Sequence, residues 1–279
     1  MQIIFSISFL SIITGLFGFV FYAFEGHKKY FRVATIATLL SFLTLTILII
    51  WQAIIYDNNT ANYLAHPCKI LAWFMLAAYF YSEYKFKIRI LGALLIPIIT
   101  VLLLVPALSG QAAPVVQRTF SSSFFVTLHV LLLLASFTFF FLAFSMAIIY
   151  IIKTRALKSQ KSRAIDEDLP SLGKLQKILI GTFKLGWMTM TAGLLITVLS
   201  LATSDGKLVF DAKIVLGFSL WFFYTILFLL YQTNKMGTRS LARGVTFFFL
   251  LVMGFWLAYS FNILGNQQVP PQQSNQVGE

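Results

Sequence analysis

The sequence is poor in charged residues and in cysteine. Only 11% of its 279 residues are charged and 59% are hydrophobic, whereas a soluble domain has about 25% charged and roughly 45–50% apolar residues. A water-soluble globular enzyme is therefore excluded, because so many apolar side chains exceed what a protein core can bury. The single cysteine, Cys68, excludes an internal disulfide and a cysteine-rich zinc or iron–sulfur site.

Acidic residues are also scarce, and none of the nine lies within a long apolar run. A proton- or sodium-coupled carrier normally needs an ionisable group there, so the sequence disfavours that class of protein. It also has no glycine-rich phosphate loop, no HExxH motif and no Ser/His/Asp grouping. The sequence therefore assigns no catalytic residue, and an enzymatic activity is not expected.

The sequence does have eight apolar stretches long enough to cross a membrane as helices, each crossing needing about 20 residues. They are too long and too uniformly apolar for the strands of a membrane β-barrel. The predicted fold class is all-α, a polytopic membrane helix bundle of about eight transmembrane helices in one domain (residues 1–265), followed by a polar, disordered tail (266–279). The first stretch is interpreted as a retained span rather than a signal peptide. The stretches cover approximately residues 3–24, 33–56, 65–82, 90–108, 124–152, 178–203, 212–231 and 244–263.

Basic residues are concentrated in alternate loops. Of the 21 lysines and arginines, 16 lie in the first, third, fifth and seventh connections and four on the opposite side. The positive-inside rule therefore predicts that both termini lie outside a bacterial inner membrane. The basic residues that give the chain its net charge of +12 are expected to face anionic lipid of the inner leaflet, so a nucleic-acid partner is not expected. The largest inner segment, residues 153–177, is interpreted as a solvated helix extension and turn.

Two of the three histidines lie at the predicted outer face. His129 precedes Lys153 by 24 residues, which is about 36 Å of helix at roughly 1.5 Å per residue, against a hydrocarbon core of about 30 Å. His66, Asp211 and Lys213 fall at the same level. His129 is interpreted either as an interfacial histidine hydrogen-bonded to a neighbour or as a metal or haem ligand.

Several motifs follow one another in a characteristic order between residues 65 and 265. A histidine opens a long apolar helix (FFVTLHVLLLLASFTFFF), and a basic loop ends in LPSL. The next span, KLGWMTMTAGLLITVL, contains Gly186 and Gly193, and an Asp-Ala-Lys segment precedes LGFSLWFFYTILFLLYQ. The last span carries MGFWLAYSFNILG. This order resembles the CcsA/CcmC-like cytochrome c assembly protein family.

The resemblance implies an inner-membrane protein that handles haem during cytochrome c maturation at the outer membrane face. In haem-handling members, a Trp-rich outer segment ending in Trp-Asp-Pro-Lys binds haem between two histidines. The residues that the resemblance implies for the cofactor are His129 as metal ligand, Asp211 and Lys213 of the outer segment, and the aromatic pair Trp221 and Tyr224. His66 is expected as a further ligand because it lies at the same predicted depth as His129.

Three departures from that pattern make the chain most similar to the HemX/YpjD-like branch. The segment ATSDGKLVFDAK lacks tryptophan, Ala212 replaces the proline, and Asn262 stands where a second histidine is expected. The alternatives are a HemX-like scaffold or regulator without a cofactor, and a permease component, which gains support only from Pro97 and Pro106. The expected partners are membrane lipid, haem and other cytochrome c assembly proteins.

Overall fold

The computed structural model describes residues 2–55, 67–108, 124–158, 170–203 and 212–266. Within those ranges the chain forms eight helices and no β-strand. Each helix coincides with one of the eight apolar stretches, which confirms the all-helical prediction. The helices are α1 (Gln2–Glu25), α2 (Lys28–Ile55), α3 (Pro67–Phe86), α4 (Ile90–Leu108), α5 (Phe124–Lys158), α6 (Leu172–Thr203), α7 (Ala212–Gln232) and α8 (Thr238–Asn266).

The surface of the bundle is apolar. Large side chains such as Phe17 and Ile36 are 58% and 68% exposed, and such a surface is stable against lipid acyl chains rather than water. The chain is therefore a membrane protein, while the full count of eight crossings and the outer location of the termini remain predictions. In the part of the chain that the structure describes, five segments are long and apolar enough to cross a membrane: Gln2–Glu25, Lys28–Gln52, Ile90–Leu108, Leu128–Leu157 and Leu172–Leu199.

The most extensive helix contacts join α1 to α2 and α5 to α6. Between α1 and α2, small residues allow a close approach: a Cβ atom on Gly18 would lie 2.9 Å from the Cβ of Ala34. The hydroxyl oxygens of Ser8 and Ser41 are 3.0 Å apart across the same interface. Helices in lipid associate through such close packing and interhelical hydrogen bonds, because lipid chains are as apolar as the helices themselves.

The first four helices contact the last four mainly where α3 packs against α5, with a smaller contact between α4 and α5. α4 also packs against α1, and α8 packs against α5. Aromatic residues fill much of the interior that results. Those that are almost completely buried include Phe19, Tyr79, Phe141, Phe183 and Phe249.

α4 continues through Pro97 and Pro106 without an interruption. Proline is tolerated inside a transmembrane helix when neighbouring groups satisfy the freed carbonyl. The prolines therefore do not produce the broken helix that would favour a permease.

The inner segment 153–177 is helical at both ends, since α5 continues to Lys158 and α6 begins at Leu172. Lys153 is buried, and its Nζ donates a hydrogen bond to the carbonyl of Pro170 at 2.9 Å. The expected helix extension is present, but Lys153 is not solvated as expected, because it ties the end of α5 to the start of α6. Residues 159–169 lie outside the described ranges.

Candidate functional site

α5 and α6 approach each other closely at two glycines of α6. A Cβ atom on Gly186 would lie 3.0 Å from Cδ1 of Phe140, and one on Gly193 would lie 3.0 Å from Cδ2 of Leu133. Both distances are shorter than an ordinary van der Waals contact, so glycine gives the helices their spacing. This spacing brings backbone carbonyls of α6 within reach of side chains on α5.

Two side chains of α5 bind these glycine carbonyls. Ser136 Oγ donates a hydrogen bond to the carbonyl of Gly186 at 2.8 Å, and Nδ1 of His129 lies 2.8 Å from the carbonyl oxygen of Gly193. The two side chains are seven residues apart in α5, and the two glycines are seven residues apart in α6. Seven residues make about two helical turns, so the pair of bonds fixes the register that positions His129.

The hydrogen bonds of His129 define which ring nitrogen carries the proton. A carbonyl oxygen only accepts, so the contact with Gly193 requires a proton on Nδ1. The Thr197 hydroxyl lies 2.8 Å from the same Nδ1 and donates to the Gly193 carbonyl at 3.2 Å.

In the neutral ring, Nε2 of His129 then carries the lone pair. No hydrogen bond joins this nitrogen to the described part of the chain. Histidines that bind a metal commonly donate their other ring N–H to a backbone carbonyl, which fixes the tautomer and the ring orientation. The geometry of His129 therefore suits a metal ligand that binds through Nε2.

α6 and α7 are joined by two hydrogen bonds between tryptophan and threonine in reciprocal order. Trp187 Nε1 of α6 donates to Thr225 Oγ1 of α7 at 2.9 Å, and Trp221 Nε1 of α7 donates to Thr191 Oγ1 of α6 at 2.9 Å. Thr191 precedes Gly193, whose carbonyl binds His129, by two residues, which is about 3 Å along the helix. Trp221 therefore contacts α6 within one turn of the His129 bond.

Tyr224 lies in the aromatic interior and is only 3% exposed. Its ring stacks on Phe140 with centroids 4.0 Å apart, and it meets the edge of Phe183 at 5.9 Å. Phe140 follows His129 by 11 residues, which is about 16 Å along α5. The structure therefore places Tyr224 about three turns away from the histidine and does not bring the two together.

The other residues predicted for the cofactor are His66, Asp211 and Lys213. His66 and Asp211 lie outside the described ranges, as does the side chain of Lys213 in the first turn of α7. Among the described residues, no group of three or more His, Cys, Asp and Glu side chains could hold a metal ion. A haem iron needs only one or two protein ligands, so His129 meets the minimum requirement.

Sequence reasoning did not identify Thr197, Thr191 and Trp187 as partners at this site. The available signal was polar side chains inside apolar spans, which need hydrogen-bond partners when water is absent. That signal does not say which helix supplies the partner. Only the packing of α5, α6 and α7 shows that Thr197 contacts His129.

Comparisons with known proteins bear on the family. Neither a curated protein nor a solved structure matches the chain. The profile of the family described as Cytochrome C assembly protein matches residues 1–265, and so includes all of α1 and α2, which the motif resemblance did not cover. The chain therefore belongs to the cytochrome c assembly protein family, and its role lies in cytochrome c maturation.

Proposed function

We propose that the chain handles or delivers haem during cytochrome c maturation, at the outer face of a bacterial inner membrane. The observation that carries this proposal is the setting of His129. Its Nδ1 lies 2.8 Å from both the Gly193 carbonyl oxygen and the Thr197 hydroxyl, which leaves the Nε2 lone pair for an iron atom. When bound, haem would supply an iron that accepts an imidazole nitrogen as a ligand.

The surroundings of His129 prepare the side chain for this role. A hydrogen bond from Nδ1–H to a carbonyl raises the basicity of the opposite nitrogen and holds the ring in one plane. The close contact of α5 and α6 at Gly193 keeps that carbonyl in place, and the partly buried position of His129 limits competition from water. The protein thus supplies an oriented, neutral imidazole.

The proposed outer location rests on the asymmetry of basic residues and on the depth of His129 along α5. At this face His66 is proposed as a second ligand that would hold the iron. Lys213 is proposed as a partner for haem propionates, and Asp211 belongs to the same segment. Trp221, held by Thr191, is the described aromatic residue proposed to lie beside the haem.

A second candidate is a HemX-like scaffold or regulator that binds no cofactor. It is favoured by the absence of tryptophan from ATSDGKLVFDAK and by Asn262 in place of a second histidine. On this alternative, the bonds of His129 to Gly193 and Thr197 only hold α5 against α6. The two candidates differ in one property, which is whether His129 binds iron.

The test is the visible absorption spectrum of protein made with excess haem and purified in detergent. We expect a Soret band in the wild type that His129→Ala abolishes or shifts. His27→Ala is the matched control, because His27 lies in the α1–α2 turn, and it should leave the band unchanged. His66→Ala should alter the band if the second ligand is assigned correctly.

Either of two results would replace haem handling by the scaffold function. One is a wild-type protein that shows no Soret band with excess haem. The other is a band that persists unchanged in His129→Ala, provided that this variant elutes from a sizing column like the wild type.

A further inference from the structure

A basic pocket lies where the α1–α2 turn meets the α3–α4 turn. The cavity has a volume of about 190 Å³. Its lining consists of two aromatic and three basic residues: Tyr22, Lys28, Phe31, Arg32 and Arg89. This end of the bundle is the one that the charge distribution assigns to the cytoplasmic side.

Two tight turns assemble the pocket. α1 ends at Glu25, and the next residue, Gly26, has a φ of 72° and donates its N–H to the Tyr22 carbonyl at 2.9 Å, which reverses the chain before α2 begins at Lys28. In the other turn, Lys87 has a φ of 55° and donates its N–H to the Glu83 carbonyl at 2.9 Å, just before α4 begins. The N-termini of α2 and α4 therefore lie beside the pocket together with the C-termini of α1 and α3, so the opposite partial charges of these helix ends offset one another.

The positive charge of the pocket comes from its side chains. The Arg89 guanidinium lies 5.7 Å from the centre of the Phe31 ring, and the Glu83 carboxylate interacts with it electrostatically. Lys28 and Arg32 extend from the first two turns of α2 and are exposed. Glu25, at the end of α1, is a second carboxylate in this region. Three cations still exceed these two carboxylates, and the excess of positive charge suits a phosphate group.

Immediately deeper in the bundle, the surface on both sides of the pocket is apolar and exposed. Phe17 and Phe21 of α1 are 58% and 47% exposed, and Val33 and Ile36 of α2 are 46% and 68% exposed. The pocket thus lies at the boundary between a basic bundle end and a lipid-facing surface. This is the depth at which the phosphate groups of phospholipids occur.

We propose that this pocket binds the phosphate of an anionic phospholipid from the cytoplasmic leaflet. Lys28, Arg32 and Arg89 contact the phosphate oxygens, and the acyl chains lie along the exposed apolar residues of α1 and α2. The volume supports a small group, because about 190 Å³ is below the range of roughly 300–1,000 Å³ that is usual for larger ligands. The site is independent of His129 and of the proposed haem function.

The test is native mass spectrometry of delipidated protein titrated with phosphatidylglycerol. The double variant Lys28→Gln/Arg32→Gln removes two cations from the pocket. We expect it to bind phosphatidylglycerol roughly thirtyfold more weakly than the wild type, from the usual contribution of a basic residue near anionic lipid. The matched control, Lys29→Gln/Lys235→Gln, removes two exposed cations that do not line the pocket and should bind like the wild type.

Two further arms use the wild-type protein alone, so they do not depend on the folding of a variant. Phosphatidylcholine with the same acyl chains should bind more weakly than phosphatidylglycerol, because its headgroup has no net charge. Inorganic phosphate in excess should not displace the lipid, because it lacks acyl chains. Equal binding of the two lipids, or equal losses in both double variants, would overturn the site. Displacement by inorganic phosphate would overturn the lipid assignment and identify a soluble anion as the ligand.

Discussion

The contact between α5 and α6 predicts that Gly186→Ala destabilises the protein, whereas Gly181→Ala on the same helix does not. A Cβ atom on Gly186 would lie 3.0, 3.1 and 3.2 Å from three ring atoms of Phe140, while one on Gly181 would meet nothing within 4 Å. The Phe140 ring cannot move away easily, because it is buried and stacked on Tyr224 with centroids 4.0 Å apart. The added methyl group therefore has to shift either the ring or the helix.

The magnitude follows from two opposing effects. Overpacking a core costs about 1–3 kcal/mol, and alanine is favoured over glycine in a helix by about 0.8–1 kcal/mol. Gly181→Ala gains the helix preference alone, whereas Gly186→Ala also bears the steric cost. The free energies of unfolding of the two variants should therefore differ by about 1–3 kcal/mol, with Gly186→Ala the less stable.

The assay is unfolding by SDS in mixed micelles, followed by tryptophan fluorescence. Both substitutions add one methyl group to the same helix, so Gly181→Ala controls for helix preference and for hydrophobicity. Equal stability of the two variants, or a Gly186→Ala protein more stable than Gly181→Ala, would refute the close packing of α5 on α6. The geometry that positions the histidine would then also be in doubt.

Two further predictions concern the histidine and the orientation of the chain. Thr197→Val removes the hydroxyl that lies 2.8 Å from Nδ1 of His129. A haem titration of this variant should show roughly 10–100-fold weaker binding, while the Soret band is retained. An unchanged affinity for haem would contradict a positioning role for Thr197. The excess of basic residues in alternate loops predicts that alkaline phosphatase fusions after Gly110 and Gly206 are active and that a fusion after Ser162 is inactive. An active fusion after Ser162 would reverse the assigned orientation in the membrane.

The helices could be predicted from the sequence because lipid imposes a length on each of them. A crossing needs about 20 apolar residues whose backbone groups are bonded internally, so the apolar runs give the helices with their approximate ends. The run 90–108 illustrates this, since it became α4 without a shift of either end. Its composition alone did not show that Pro97 and Pro106 would remain within one helix.

The contacts of individual side chains could not be predicted in the same way. Lys69 is one of the four basic residues that the loop count assigns to the outer side. It is only 2% exposed, and its ammonium group lies 5.0 Å from the centre of the Phe5 ring. A lysine can occupy such a position when an aromatic face replaces part of its hydration. Nothing in the local sequence indicates that α1 supplies that ring.

At the candidate site, too, the sequence did not indicate which side chains contact one another. Counting residues along α5 gives a depth for His129 that stays a prediction, and the order of motifs drew attention to Gly186 and Gly193 in α6. Neither pattern showed that the seven-residue interval in α6 matches the interval from His129 to Ser136. That match depends on the rotation of each helix about its axis, which a single sequence of almost uniformly apolar spans does not define.

The central claim, that His129 binds haem iron through Nε2, is tested most directly by chemical rescue. His129→Gly removes the imidazole, and free imidazole added to the haem-loaded variant can replace it at the iron. The account predicts a Soret band that is lost or shifted in His129→Gly and restored to the wild-type position by imidazole. A band that is unaffected by the substitution, or a lost band that imidazole does not restore in a variant that folds like the wild type, would contradict ligation of the iron by His129.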